Sequence, residues 1–331
     1  MAALLTLDAC LSQALSGTTA VVPDRLDPAR ATGHALASDL TLPHDLPVRS
    51  QALRTGIAVA SLDTVGASPQ LPLPIPAVMR VQAGCDLPPG MDAVLALDDV
   101  DLSGPVPQVI RPIGPGEGMR RAGHDGRAEQ PLAQAGDRLG ALTALLAAEA
   151  GLETVPVRRP RVRIALDDLG HAGFAARWTL ALGGLPSDDA PHMVLRTDRD
   201  ALPRLALTGA ETAWLSCHDG VLILDLPPRF DAMIVGLLAL GRPALAALTG
   251  STARPLMRPL TRKVASAPGM ADLVLLAAHG DGWRPGAPGL ITLAALTQAQ
   301  AFAILPPDSE GLPAGAPLAG TPVISLAHEM P

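Results

Sequence analysis

The stretch Arg158 to Gly170 reads Arg-Arg-Pro-Arg-Val-Arg-Ile-Ala-Leu-Asp-Asp-Leu-Gly. The pattern of secondary structure that the sequence predicts changes at this stretch. Its residues Arg161 to Leu166 alternate in the manner of a short β-strand. From there to Thr249, strand-like and helix-like stretches alternate, a pattern typical of a parallel sheet with packed helices. The sequence therefore predicts a small α/β domain over residues 159–250.

Two features inside this region sharpen the prediction. The segment Leu215 to Leu226 predicts two short strands joined by a turn at His218-Asp219-Gly220, because Asp-Gly is a favoured hairpin turn. The segment Phe230 to Leu248 is the strongest helical stretch in this half of the chain. Gly241-Arg242-Pro243 is expected to interrupt that helix.

Before this region the chain is helical first and then rich in β-type runs. A leucine repeat ending at Gly17 predicts a first helix, and Asp27-Pro28 predicts the start of a second one running to about Leu40. From Leu42 to Gly140, short apolar runs are cut by Pro and Gly at close intervals, which predicts an all-β module. A further helix is expected from Leu139 to Ala150.

The expected architecture is multidomain, combining α+β and α/β parts. Residues 1–50 and 140–158 form a helical and β N-terminal linker domain, and residues 51–139 form an all-β module inserted into it. Residues 159–250 form the α/β domain. Residues 251–331 form a C-terminal β-rich domain, because strand-like and turn-like runs return after Gly250.

Composition excludes several classes of protein. The 331 residues carry a net charge of −7, with three Trp, three Phe and no Tyr, so a nucleic-acid partner is not expected. Almost every basic residue is Arg, with Lys263 the single lysine, so one arginine carries little functional information. The chain of 331 residues is long enough to form more than one hydrophobic core.

Cysteine usage and hydropathy indicate a cytoplasmic protein. Cys10, Cys85 and Cys217 are isolated and odd in number, which argues against a disulfide framework and against a zinc site. The run from Met233 to Leu240 is the longest apolar one, and it is shorter than the roughly 18 residues that cross a bilayer. The N-terminal segment has no basic region of the signal-peptide type. A soluble protein without a membrane partner is expected.

Several ordered motifs resemble those of the molybdopterin molybdenumtransferase family, which includes MoeA and the gephyrin E domain. Four segments carry the resemblance. Gly33–Leu40 resembles the family's "G-R-x-L-A-x-D" motif, and Ala83–Val94 resembles "T-G-A-x-x-P-x-G-A-D-A-V-V". Gly116–Asp125 resembles "G-x-N-V-R-x-x-G-E-D", and Val157–Val162 resembles "V-x-R-R-P-R-V". Leu312–Gly315 is similar to the "L-x-A-G" that closes the family's last domain. The resemblance covers nearly the whole chain.

This resemblance implies an activity and a set of ligands. Members of the family take adenylylated molybdopterin and molybdate, cleave the adenylate and insert molybdenum into the dithiolene. The resemblance implies molybdopterin and molybdate as ligands, a divalent cation such as Mg²⁺ held by carboxylates, and a homodimer. It also identifies the region 159–250 as a truncated MogA-like domain.

The chain departs from the family at positions that carry chemistry. The family's "S-x-M-D-G-Y-A-V" loop corresponds to Ala52–Val59, where its Asp is Thr55. The Thr of "T-G-A" is Ala83, and the Glu of "G-E-D" is His124. The replacements at Thr55 and Ala83 remove one carboxylate and one hydroxyl, and His124 replaces a further carboxylate.

The α/β region departs further. No "G-G-x-S-x-G-x-x-D" loop, which would cradle a phosphate with backbone N–H groups, occurs in the sequence. The family's "L-P-G-N-P" is reduced to Asp225–Arg229, and its "G-D-E-L" to Asp167–Gly170. Asp167 and Asp168 could bind a cation, although carboxylates that begin a helix explain them equally well.

Three residues are the leading site candidates. Asp125 is a catalytic candidate, and Arg120 and Arg121 before it are substrate-binding candidates, because a guanidinium grips oxyanions through paired hydrogen bonds. The alternative is a surface ion pair worth less than about 1 kcal/mol.

Three more candidates have a structural alternative. Asp98 stands where the family has Glu after "D-A-V-V", as a catalytic candidate or as a turn carboxylate at a strand end. Gly84 and Asp92 are assigned to substrate binding by the resemblance, although such residues commonly shape a turn.

Two functions follow from these matches and departures. One is an enzyme of molybdenum cofactor biosynthesis that inserts molybdenum into adenylylated molybdopterin. The other is a non-catalytic paralogue that binds a molybdopterin-type ligand or a partner in molybdoenzyme maturation. The retained Arg120, Arg121 and Asp125 favour the first function, whereas the missing phosphate loop favours the second.

Overall fold

The computed structural model describes residues 4–75, 77–197, 204–251 and 254–323. These residues form two compact units. Unit 1 contains the described residues of Met1–Asp39, Ala133–Ala144 and Glu153–Pro331, and unit 2 those of Leu40–Leu132 and Leu145–Leu152. The four-domain division drawn from the sequence stays a prediction.

The α-helices are short except in the α/β part of unit 1. They are α1 (Leu7–Leu15), α2 (Pro28–Ala31), α3 (Ala141–Glu149), α4 (Leu169–Ala181), α5 (Phe230–Gly236), α6 (Arg242–Thr249) and α7 (Leu293–Gln298). Thr6 caps α1 by accepting from Ala9 N at 3.3 Å, and Gly17 follows with a φ of +81°. The first and third predicted helices are confirmed.

The second predicted helix begins as expected and ends much earlier. Asp27 caps α2 through a bond from Arg30 N, and Pro28 is its first residue. The helix stops at Ala31, so the prediction of a helix to Leu40 is wrong. Gly33 turns the chain with a φ of +84°, and Ala35–Leu36 then pairs as a strand with Val157 and Arg158. Sheet pairing overrides the helical propensity of this stretch.

The strands of unit 1 build three sheets and one short pair. They are β1 (Asp24–Leu26), β2 (Ala35–Leu36), β13 (Val155–Arg158), β14 (Arg161–Ala165), β15 (Leu185–Pro186), β16 (Met193–Thr197), β17 (Trp214–His218), β18 (Val221–Leu226), β19 (Leu256–Pro259), β20 (Val264–Ala265), β21 (Asp272–His279), β22 (Gly282–Pro285), β23 (Ala301–Leu305), β24 (Gly311–Leu312) and β25 (Pro317–Pro322). The first sheet has the order β1-β13-β2.

The α/β part of unit 1 is a five-stranded sheet of order β15-β14-β16-β18-β17. Its first four strands are parallel, and β17 runs antiparallel to β18. The predicted hairpin is confirmed, since Asp219 and Gly220 join these two strands with φ values of +50° and +78°.

The helix that follows β18 is continuous from Phe230 to Thr249. A π-helical segment, Leu237–Gly241, joins α5 to α6, so the predicted interruption at Gly241-Arg242-Pro243 is wrong. A π turn accommodates the missing N–H of Pro243 without breaking the helix. With 20 residues the helix is long and apolar enough to cross a membrane, but 78% of its most apolar stretch is buried within the protein. It is the central core helix of unit 1.

Residues 254–323 of unit 1 are rich in β-strand. The second five-stranded sheet has the order β19-β25-β23-β21-β22, with all described pairings antiparallel. Trp283 on β22 is 1% exposed and stacks under the guanidinium of Arg258, 4.8 Å from its ring centre.

Unit 2 is built from short strands, with β12 ending at its boundary. They are β3 (Leu40–Thr41), β4 (Gln51–Ala52), β5 (Gly56–Val59), β6 (Leu73–Pro74), β7 (Met79–Val81), β8 (Ala93–Leu95), β9 (Val100–Asp101), β10 (Gln108–Val109), β11 (Met119–Arg120) and β12 (Pro131–Ala133). Strand β5 lies between β7 and β8, and its side chains alternate between two cores. Ile57 and Val59 enter the larger core, and Ala58 enters the smaller one with Val94 and Met119.

Candidate functional site

Three loops that are far apart in the sequence meet on one side of unit 2. We call residues 50–55, 83–92 and 114–125 the three-loop face. Strand β4 pairs with β11, so Gln51 lies opposite Arg120. Ala52 N donates to Cys85 O at 2.9 Å, so the middle loop, residues 83–92, lies beside strand β4. Two of the segments that resemble family motifs, Ala83–Val94 and Gly116–Asp125, are therefore neighbours of the loop that begins at Ala52 and corresponds to a third motif.

Arg54 holds two of these loops together. Its Nε and Nη2 donate to Val94 O at 2.9 and 2.7 Å, and its guanidinium lies 3.6 Å from Glu117. Gly118 makes room for it, because a Cβ there would lie 2.6 Å from Val94 O and 2.8 Å from Arg54 Nε. Sequence reasoning missed Arg54, since it replaces the Met of the family loop in a chain where arginine is common.

Arg120 and Asp125 are brought together by the third loop. Arg120 Nη1 donates to Asp125 Oδ2 at 3.0 Å, with side chains 43% and 33% exposed. The backbone of Asp125 is held independently, because its N–H donates to Leu46 O at 2.8 Å. Neighbouring Arg121 is exposed, and its Nη2 donates to Pro115 O at 3.4 Å. The face thus presents guanidinium groups to solvent.

Two of the departures from the family pattern meet at one point of this face. Thr55 Oγ1 accepts from Ala83 N at 3.4 Å, and both residues are exposed. These are the positions where the resemblance expects Asp and Thr. The positions of the missing carboxylate and the missing hydroxyl are therefore adjacent in the structure. Their sequence positions, 28 residues apart, did not reveal this contact.

Asp92 and Gly84 have structural tasks in the middle loop. Both oxygens of Asp92 accept from Ser61, from its N at 2.6 Å and from its Oγ at 2.8 Å. Gly84 has a φ of +83° in a tight turn, and its N donates to Ala52 O at 2.7 Å. These contacts are those of turn-forming residues.

Asp98 lies apart from the other candidates. It belongs to the short 3₁₀ segment Leu97–Asp99 and is exposed. Within the described part of the chain it has no hydrogen bond or ion pair with the three-loop face. The structure therefore brings together five of the six predicted site residues.

The carboxyl edge of the parallel sheet in unit 1 holds the reduced family motifs. Asp168 caps α4 by accepting from His171 N at 2.8 Å, and this bond is the main reason that its pKa is lowered. Asp167 N donates to Thr197 Oγ1 at 3.0 Å. Asp225 is buried in an ion pair with Arg196. The helix α4 begins directly at this edge, without a glycine-rich loop before it.

The described residues do not form the carboxylate cluster that a divalent cation would need. No group of three or more His, Cys, Asp or Glu side chains in this part of the chain could hold a metal ion. Asp125 is paired with Arg120, and the family's Glu and Asp positions are His124 and Thr55. These residues do not fit a divalent cation of the kind that the resemblance implies.

Comparison with known proteins gives one family and a set of relatives. Residues 5–151 match the family described as the MoeA N-terminal region (domain I and II). The chain is 30% identical over 186 residues to the molybdopterin molybdenumtransferase of Synechococcus elongatus, a match covering 50% of this chain and 45% of that protein. It is 28% identical over 159 residues to molybdopterin molybdenumtransferase 2 of Mycobacterium tuberculosis, covering 43% and 39%. The matches thus span less than half of these relatives.

Solved structures extend the likeness to almost the whole chain. The molybdopterin biosynthesis MoeA protein of Pyrococcus horikoshii OT3 superimposes with a TM-score of 0.70 at 19% identity, covering 97% of this chain and all of that one. A molybdenum cofactor biosynthesis protein of Pyrococcus furiosus gives a TM-score of 0.59 at 16% identity, with 97% and 100% coverage. At these identities the likeness establishes the fold, which is a multidomain MoeA fold.

Proposed function

Because residues 5–151 match the MoeA N-terminal family and the described chain has a MoeA fold, we propose that this protein acts in molybdenum cofactor biosynthesis. Its reaction is the insertion of molybdenum from molybdate into molybdopterin. The observation that supports this most directly is the convergence of three family-like segments on one arginine-bearing face of unit 2.

The three-loop face suits the binding of oxyanions. Arg120 and Arg121 present exposed guanidinium groups, whose fork geometry matches phosphate and molybdate. Arg120 is paired with Asp125 in an exposed bridge, which costs less than about 1 kcal/mol to break. An incoming oxyanion can replace that carboxylate at little cost, and Asp125 is then available to accept a proton from the ligand.

Adenylate cleavage is the reaction step that we expect to be slow in this protein. At the contact between Thr55 and Ala83 the chain lacks the carboxylate and the hydroxyl that the family resemblance expects. Loss of one positioned polar group at a transition state costs about 10²–10³ in rate. We expect binding of molybdopterin and molybdate to persist while cleavage of the adenylate is slow.

The alternative of a non-catalytic scaffold has no support from the relatives named above, which bear the names of transferases and biosynthesis proteins. We place the protein in the cytoplasm as a homodimer, on the family resemblance. The residues of the apolar run Met233 to Leu240 are buried inside unit 1, so this run offers no surface for dimer formation.

The test is binding of the purified chain to molybdopterin, with and without molybdate. We expect binding in both cases, and a loss of at least about tenfold in the Arg120→Gln, Arg121→Gln double variant, since each charge-assisted hydrogen bond contributes that much. Arg177→Gln, at an exposed arginine of α4, is the matched control and should bind normally. Equal binding by both variants would remove the three-loop face from the proposal.

Complementation gives a second readout. In a cell that lacks its molybdenumtransferase, we expect this chain to restore molybdoenzyme activity to no more than about 1% of normal, because cleavage is slowed by 10²–10³. Restoration to a near-normal level would show that the two departures do not impair the reaction.

A further inference from the structure

A cavity of about 1060 Å³ lies within unit 1 and is lined by none of the predicted site residues. This volume is at the upper end of those that enclose a small organic ligand. Its lining includes no residue of the carboxyl-edge segments 166–168 and 225–231. Its wall is mostly apolar and comes from α1, the helix Phe230–Thr249 and the C-terminal sheet, including Leu7, Leu11, Leu238, Leu245, Phe302 and Ile304.

Arg242 is a partly buried cation in this wall. Its Nη1 donates to Pro322 O at 2.7 Å, and its guanidinium lies 5.9 Å from the ring centre of Phe302. Burial lowers the pKa of Arg242, and the charge of Arg138, which also lines the cavity, lowers it further. No carboxylate of the described residues forms an ion pair with Arg242.

The other charges of the cavity do not compensate Arg242. Arg254 Nη2 donates to Asp137 Oδ1 at 2.8 Å, so these two charges neutralise each other. Asp8 lines the cavity and is exposed to solvent. A guanidinium can make five hydrogen bonds, and among the described residues one carbonyl is the hydrogen-bond partner of Arg242. Its partial burial is unfavourable unless an anion completes the shell.

We propose that this cavity binds a small organic anion with an apolar body, whose carboxylate or phosphate meets Arg242. The apolar body lies against the leucines of α1 and of the core helix. An apolar wall with a few convergent polar groups is the usual composition of a site for such a ligand. The cavity is lined by residues of unit 1, whereas the three-loop face consists of residues of unit 2.

The experiment uses the purified full chain and three probes with the same eight-carbon chain, octanoate, octyl phosphate and the uncharged octanamide, with affinities measured by calorimetry. We expect one or both anions to bind at least about tenfold more tightly than the amide, as a charge-assisted hydrogen bond contributes about this much. Octanoate and octyl phosphate together distinguish a carboxylate ligand from a phosphate ligand. Equal affinities for anion and amide, or no binding of either anion at millimolar concentration, would overturn the proposal.

Variants assign the binding to the cavity. Arg242→Met should lower anion affinity at least about tenfold and leave the amide nearly unchanged, whereas Arg177→Gln should change neither. Arg242 also holds Pro322, so melting curves accompany the measurement. Ala246→Phe keeps Arg242 and fills part of the cavity, so it should also lower anion affinity. This variant tests whether the anion binds in the cavity if Arg242→Met unfolds. Wild-type anion binding by a folded Arg242→Met or Ala246→Phe protein would contradict the assignment.

Discussion

Asp92 should act as a structural anchor of unit 2, and replacing it by alanine should open the turn that it holds. Its carboxylate accepts two hydrogen bonds from Ser61, which is only 5% exposed. A hydrogen bond to a charged group contributes about 1.5–3 kcal/mol, and the buried donor left behind adds a penalty. The Ser61 hydroxyl can rotate to another acceptor, so we expect a loss of about 2–4 kcal/mol rather than the sum of two bonds.

Hydrogen exchange measures this loss locally, at the Ser61 amide and the turn that follows it. A loss of 2–4 kcal/mol in the free energy of opening accelerates exchange by about 30- to 700-fold. The matched control is Asp98→Ala, six residues away, where the carboxylate is exposed and the expected change is within about 0.5 kcal/mol. Unchanged exchange in Asp92→Ala, together with lost molybdopterin binding, would refute the structural role and make Asp92 a ligand-binding residue.

Three further predictions follow from single contacts. Gly56→Ala should destabilise unit 2 by more than about 2 kcal/mol, because a Cβ there collides with the backbone of the neighbouring strand, whereas Gly104→Ala should be nearly neutral in the same urea titration. Burial lowers the pKa of His192, and its Nδ1 accepts from a backbone N–H. Its stabilising contribution is therefore complete above the unfolded-state pKa of about 6.5 and is lost as the pH falls from there through the lower pKa of the folded state. His192→Asn keeps an acceptor at every pH and should flatten the dependence of melting temperature between pH 7.5 and 5.5; an unchanged slope would contradict this role. Asp125→Ala breaks an exposed ion pair with Arg120, so the melting temperature should stay within about 2 °C of the wild-type value. The rate of molybdenum transfer should fall at least about tenfold. A lower melting temperature with normal transfer would show that Asp125 has a structural role instead of a catalytic one.

The sequence predicted those elements whose signals are local. The cap at Asp27 and the turn at Asp219-Gly220 were placed correctly, because each depends on the geometry of a few neighbouring residues. The end of α2 was missed, since Ala35 and Leu36 pair with strand β13, about 120 residues further along the chain, and only the tertiary structure supplies that partner. The continuity of the helix through Pro243 was missed because a π turn leaves no sequence signal of its own.

The candidate site shows the same division. Family-like spacing pointed to Arg120 and Asp125, and the structure places them in contact. Neither the role of Arg54 nor the contact between Thr55 and Ala83 could be read from the sequence, because each joins residues that are 28 to 40 positions apart.

The cleavage of adenylylated molybdopterin by the Thr55→Asp, Ala83→Thr double variant tests the central claim most directly. The claim is that the three-loop face keeps its oxyanion-binding arginines, and that the polar groups missing at the contact between Thr55 and Ala83 limit the cleavage. The variant should cleave the adenylate about 10²–10³ times faster than the wild-type chain, with molybdopterin affinity unchanged. The reverse control, Thr55→Val, should leave the slow rate as it is. A double variant that folds, binds molybdopterin and cleaves no faster than the wild type would contradict the account.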